Sequence, residues 1–267
     1  MKLFRLFVVA CLLMLCVGRA AAQEQDVPAP KTYKIYAVCD AHLDTQWNWD
    51  LTHTIREYIP RILFQNLWML ERYPDYKFNF EGGIIYHWMK EYYPLHYARL
   101  QKYIDEGRWH ISGASWNAND PNMPSAESFI RNILQGQELY KREFGVHSTD
   151  IFLPDCFGFG YTLPSLAAHC GLIGFSTQKL SWRKHDFFPD APYHKKNPFS
   201  WGVWYGIDGQ SLMAAFDTGG YTAELPADAG YNADFIRRAA NGFDNTAMRY
   251  YSGGHLHGTT NCGDKGN

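Results

Sequence analysis

The sequence predicts an α/β fold with a largely parallel sheet. Two patterns predict it. Short apolar runs of strand length alternate with longer amphipathic stretches at the spacing of β–α units. Acidic residues and a histidine then fall directly after several of those runs, at the strand ends where such folds keep their chemistry. The 245 residues left once 1–22 are set aside (267 minus 22) suit one large α/β domain or two small ones.

Residues 1–22 are expected to stand outside that fold. Lys2 and Arg5 lead into the apolar run Leu6–Val17, and Ala20-Ala21-Ala22 precede Gln23. This is the pattern of a secretory signal peptide cleaved after Ala22. The run is short of the ~20 residues of a spanning helix. Leu15, not a small residue, precedes Cys16, which speaks against a lipid anchor. The expectation is a periplasmic or secreted protein with no stable membrane insertion once the signal is removed. A polar lead-in containing Pro28 and Pro30 occupies 23–32.

The elements follow in order. Tyr33–Val38 reads as a buried strand. Thr52–Arg72 reads as a helix, with Ile55, Tyr58, Ile59, Ile62, Leu63 and Leu70 as its apolar stripe and Pro74 beyond its end. Lys77–Phe80 is a short strand closed by Gly82-Gly83. Ile84–Glu106 is helical with a kink at Pro94, and Gly107 stops it. Trp109–Ser112 is a strand. Ser125 caps a helix to Phe144, with Glu127 in its first turn and Gly145 after it. Asp150–Leu153 is a strand, Leu163–His169 a short helix, Leu172–Thr177 a strand. Residues 183–199 read as loop, Trp201–Tyr205 and Ser211–Phe216 as a hairpin, and Asn232–Ala240 as a helix.

A formal net charge of −2 gives no reason to expect a nucleic-acid partner. Nine tryptophans and 16% aromatic residues favour a stacked, uncharged ligand such as a sugar, although a large core accounts for them equally well. Cys39, Cys156, Cys170 and Cys262 follow the signal and form no Cys-x-x-Cys pair. Most read as buried thiols, with a Cys156–Cys170 bridge left open.

Two constellations carry chemistry. His42-Leu43-Asp44 lies just after the first strand, with Trp47 and Trp49 following. Residues i and i+2 of an extended segment point the same way, so His42 and Asp44 can reach one metal ion. A loop hydrogen-bonded pair is the competing reading. Leu153-Pro154-Asp155-Cys156-Phe157-Gly158 follows another strand, and Asp155 can be a third ligand or the cap of the helix near Leu163.

Two further stretches lie after strands, Ser115-Trp116-Asn117-Ala118-Asn119-Asp120 and Thr177-Gln178-Lys179-Leu180-Ser181-Trp182. In this order, with His42-x-Asp44-x-x-Trp47 and Pro154-Asp155-x-Phe157-Gly158, the motifs resemble glycoside hydrolase family 38, the class II α-mannosidases, in a bacterial form. The resemblance runs from about Tyr33 to Asp264. It implies a seven-stranded β/α barrel over 33–267 and one zinc ion held by His42, Asp44 and Asp155. It implies an α-mannoside glycan substrate and retaining hydrolysis with Asp155 as nucleophile. Trp47, Phe157 and Lys179 are the implied substrate contacts.

A retaining glycosidase also needs an acid/base carboxyl. The family takes it from a loop beyond the hairpin, where Asp217, Glu224 and Asp228 stand; Asp228 has the best offset from Met213. Two departures stand out. Asn117–Asp120 replaces a Val-Glu segment found in many members. The family's fourth zinc ligand, a histidine in a downstream helical domain, has no counterpart, since His255 and His257 lie in a glycine-rich tail. The expectation is therefore a truncated catalytic domain without the downstream helical and β-sandwich domains. An inactive sugar-binding fragment is one alternative. A zinc polysaccharide deacetylase is another, although the His-x-x-x-His pair it would need is missing.

Overall fold

The structure is a computed structural model, and it describes residues 38–156, 158–177, 201–216, 231–233 and 236. The expected signal segment, lead-in and most of the first strand lie outside these. So do the loop 183–199, Phe157, Lys179, all three acid/base candidates and the tail histidines. Of the helix expected over Asn232–Ala240, Asn232, Ala233 and Ile236 are described; the last two are helical and Asn232 is not.

Of the strand expected over Tyr33–Val38 only Val38 is described, and it is not in a strand. β1 is Cys39–Ala41, and Val38 is exposed before it. The helical stretch that follows has three parts: α1 (Leu51–His53), one π-helical turn (Thr54–Tyr58) and α2 (Ile59–Arg72). Asp50 caps it, its carboxylate accepting from His53 N–H at 2.8 Å. The buried stripe Ile59, Ile62, Leu63, Leu67 and Leu70 packs α2 into the core.

β2 (Phe78–Phe80) leads to a region that is broken rather than kinked. It contains α3 (Gly83–Tyr92), α4 (Pro94–Tyr97) and α5 (Leu100–Asp105). Proline has no N–H to give the preceding turn, and Tyr93 leaves helical geometry at φ −132°, ψ 49°. β3 is Trp109–Ile111. α6 runs Ala126–Phe144 as the sequence predicts, with Ser125 Oγ accepting from Ser128 N–H and Gly145 left-handed at φ 70°. β4 (Asp150–Phe152), α7 (Leu163–His169) and β5 (Gly174–Thr177) follow. β6 (Trp201–Tyr205) and β7 (Ser211–Phe216) form the expected hairpin.

Among the described residues these strands make two sheets, not a closed seven-stranded barrel. One has the order β1-β2-β3, all parallel; the other has the order β4-β5-β7-β6, parallel except for β6. Between β3 and β4 a single backbone bond remains, Ala114 N–H to Asp150 O at 3.0 Å. The ladder stops there because Gly113 turns away at φ 60° and its N–H goes to the Asp150 carboxylate at 3.3 Å.

Two apolar cores result among the described residues. Phe78, Phe80, Tyr86, Trp109 and Tyr140 anchor the first, and Ile133, Ile151, Leu163 and Phe175 belong to the second. α6 serves both. It approaches the Ala114–Trp116 backbone so closely at Gly136 that a Cβ there would lie 2.2 Å from Ala114 O. Cys156 and Cys170 are free thiols, so no bridge joins them, and Cys39 is disulfide-bonded. No helix among the described residues is long and apolar enough to cross a membrane.

Candidate metal centre

The parallel register builds the first half of the site. Ala41 pairs with Phe80, and Phe80 with Ile111, so the chain leaves three adjacent strands at one end. One step past the last pairs stand His42 and Glu81. Glu81 Oε1 lies 2.9 Å from His42 Nδ1, and His42 Nε2 faces Asp44 Oδ1 at 3.4 Å. Both imidazole nitrogens therefore meet a carboxylate. Glu81 is only 7% exposed. Its room is made by Gly113, where a Cβ would stand 2.9 Å from Glu81 Oε2 and 3.0 Å from its Cβ.

Asp155 arrives from the other sheet, after β4 and Pro154. Ligand atoms of His42, Asp44 and Asp155 all lie within 4.8 Å of one another. Asp155 does not cap α7, whose N-cap is Thr162 with no side-chain bond. Zinc binds imidazole nitrogen and carboxylate oxygen at about 2.0–2.2 Å, so adjustments below about 1 Å would bring these three onto one ion. The donor set fits the ion, because the pocket gathers acidic groups around a single imidazole.

The local electrostatics follow from that crowding. Burial alone would lower the His42 pKa, but the carboxylates of Asp44 and Glu81 overcome it and push it up to about 10. Burial raises Glu81, with His42 opposing and Asp150 and Asp40 adding to the rise. Burial also raises the Cys156 thiol, helped by Glu81, Asp120, Asp155 and Asp44. Its Sγ stays protonated and lies 3.0 Å from Asn119 O, which disfavours a role as thiolate ligand.

Trp47 stands beside this cluster in sequence, 58% exposed, its ring edge-on to Trp49 at 5.8 Å. The turn carrying it is pinned from below. Trp49 Nε1–H donates to Thr54 Oγ1 at 2.8 Å, and the Thr54 hydroxyl donates to Thr45 O at 2.7 Å. The segment 115–125 folds against the Asp155 strand end. Asn122 Nδ2 donates to Gly158 O at 2.9 Å, and Asn132 Nδ2 holds Asn117 O at 2.8 Å.

Of the residues singled out in the sequence, His42, Asp44 and Asp155 come together and Trp47 is open to solvent. Phe157, Lys179, Asp228 and its rivals lie outside the described residues. Glu81 is the residue that sequence reasoning misses. A signal is there: it is a carboxylate directly after the Lys77–Phe80 run and before two glycines, in the same kind of position as His42.

The chain matches the family described as "Glycosyl hydrolases family 38 N-terminal domain" over residues 32–252. "Alpha-mannosidase G" of Dictyostelium discoideum is 34% identical over 230 residues, 83% of this chain and 19% of that protein. "Alpha-mannosidase 2C1" of Homo sapiens is 33% identical over 187 residues, 70% of this chain and 17% of that one. The chain thus spans a minor part of these relatives. A crystal structure of an alpha-mannosidase from Enterococcus faecalis V583 superposes with a TM-score of 0.62 at 20% identity, over 75% of this chain and 22% of the other; it supports the fold. By the extent of that match, the chain belongs to glycosyl hydrolases family 38, as its N-terminal domain.

Proposed function

We propose that this chain carries the nucleophile and three zinc ligands of a retaining α-mannosidase acting on terminal α-D-mannosides. The observation that carries the proposal is the convergence of His42, Asp44 and Asp155 from two sheets to within 4.8 Å. Relatives named as alpha-mannosidases support the substrate class.

In this reading His42, Asp44 and Asp155 hold the ion. A zinc ion held there would supply positive charge against the negative charge that develops as the glycosidic bond breaks. An Asp155 carboxylate oxygen forms a bond to the anomeric carbon as the bond to the departing oxygen breaks. A second carboxyl, for which Asp228 is the candidate, gives its proton to that oxygen and later takes one from the water that hydrolyses the glycosyl ester. The exposed face of Trp47 packs under the sugar, with Phe157 and Lys179 as further contacts. Residues 1–22 carry the address in this reading, so N-terminal sequencing of exported protein should begin at Gln23.

The test uses the purified protein with p-nitrophenyl α-D-mannopyranoside, with and without a zinc chelator. Chelation should abolish turnover and added zinc should restore it. Asp155→Asn should lower kcat by roughly 10³-fold or more. Zinc binding without cleavage of any α-mannoside linkage would overturn the reading.

A further inference from the structure

We infer that Glu81 is a positioning residue, which holds the His42 ring by Nδ1 so that Nε2 becomes the metal-ligating nitrogen, and that Gly113 is the recess built to receive it. The inference rests on the metal reading of His42, Asp44 and Asp155.

The geometry argues in three steps. First, register puts Glu81 at the strand end next to His42, and Glu81 Oε1 to His42 Nδ1 is 2.9 Å, a hydrogen bond of ordinary length. The Nδ1–H donates to the carboxylate. The lone pair available to a metal is then on Nε2, the nitrogen that faces Asp44 at 3.4 Å. Second, the position is a costly one for a carboxylate. Glu81 is nearly fully buried, with Asp40, Asp44 and Asp150 in the same neighbourhood. An apolar side chain would avoid that desolvation unless the carboxylate has a task. Third, the neighbouring strand end accommodates it. Gly113 adopts φ 60°, and any Cβ there would collide with the Glu81 carboxylate and its Cβ. An imidazole held at its far nitrogen by a carboxylate is fixed in tautomer and ring rotation and is a more basic ligand.

The test compares zinc affinity, by competition with a chromophoric chelator, for the wild-type chain and for Glu81→Met, Glu81→Gln and Gly113→Ala. It adds ¹⁵N-edited NMR of the His42 ring in zinc-loaded protein, assigned by its loss in His42→Gln. Wild type should show metal at Nε2 and a slowly exchanging proton on Nδ1. Glu81→Met, similar in length with no strong acceptor, should bind zinc about 10–100-fold more weakly and lose the slow exchange. Glu81→Gln, whose amide oxygen still accepts, should recover most of that affinity and keep the protected proton. Gly113→Ala, which leaves the carboxylate but displaces it, should weaken zinc binding in the same direction.

Equal zinc affinity in Glu81→Met and wild type would overturn the inference, as would ligation through Nδ1. If Glu81→Met does not fold, the wild-type spectrum decides alone between Nε2 and Nδ1. A wild-type chain that binds no zinc sinks the metal reading first, and the inference with it.

Discussion

The two sheets contribute to the site from unequal foundations. The β1–β3 sheet stands on a wide aromatic core in which Phe78, Phe80, Tyr86, Trp109 and Tyr140 are fully or almost fully buried. Their polar ends are tied as well: Trp109 Nε1–H donates to Tyr86 Oη at 2.8 Å, and Tyr86 Oη–H donates to Phe80 O at 3.2 Å. Phe80 directly precedes Glu81, so this network fixes the strand end that holds His42. Among the described residues the β4–β7 sheet stands on a smaller core. Phe175 there packs against Phe159, Trp204 and Phe216, all partly exposed. The contrast teaches that His42, Asp44 and Glu81 sit on the firmer half and Asp155 on the softer one. A shared ion would join the two.

The sharpest test of that contrast is a pair of truncations. Trp109→Ala should cost about 3–5 kcal/mol, read from the urea midpoint, because the closed ring cluster cannot collapse into the void. Phe175→Ala should fall at or below the lower end of that range, since its neighbours can relax. A larger cost for Phe175→Ala would reverse the assignment of firm and soft halves.

The joining role is tested next. Zinc at about 100 times its Kd should add roughly 2.7 kcal/mol if it binds only the folded chain. Hydrogen exchange should slow most in the second sheet, at Ile151 and at Leu153, whose N–H donates to Ser176 O at 3.0 Å. Equal slowing at Phe78 and Phe80 would mean that the ion does not preferentially brace the softer half.

A smaller effect is expected where one helix spans both cores. Ser125→Ala removes the cap of α6 and should cost about 1 kcal/mol in thermal or urea unfolding.

The smallest effect concerns the hairpin tip of the second sheet. Asp208 accepts from Ser165 Oγ at 2.5 Å and pairs with His169 Nε2 at 2.8 Å, which docks the β6–β7 turn onto α7. The Ser165 bond, with Gln210 N–H and His169 adding to it against burial, lowers the Asp208 pKa from 3.8 to about 2. A depressed folded pKa means stability present above 3.8 and lost as pH falls towards 2. The Tm gap between wild type and Asp208→Asn should therefore be small, constant from about pH 5 to 7, and closed near pH 2. A gap that widens in acid would refute the docking role.

Much of this fold is legible in the order of residues alone. α6 runs from the Ser125 cap to Gly145 as predicted, because capping and glycine signals are local and no tertiary contact overrides them. The α7 span and the β6–β7 hairpin also stand where the sequence predicts them. The region around Pro94 is not legible in this way. The missing N–H is visible, but whether the helix bends or divides depends on how the flanking segments pack.

At the site, local order in the sequence determined the pairing of His42 with Asp44 and the place of each acid after an apolar run. Spacing and strand patterning are properties of the chain itself. Only the tertiary structure decided that Asp155 joins them from a second sheet and that Glu81 stands behind the imidazole. Only it showed that Gly113 is bare to make room. Those facts depend on register between strands distant in sequence, and register is set by which side chains fill a common core.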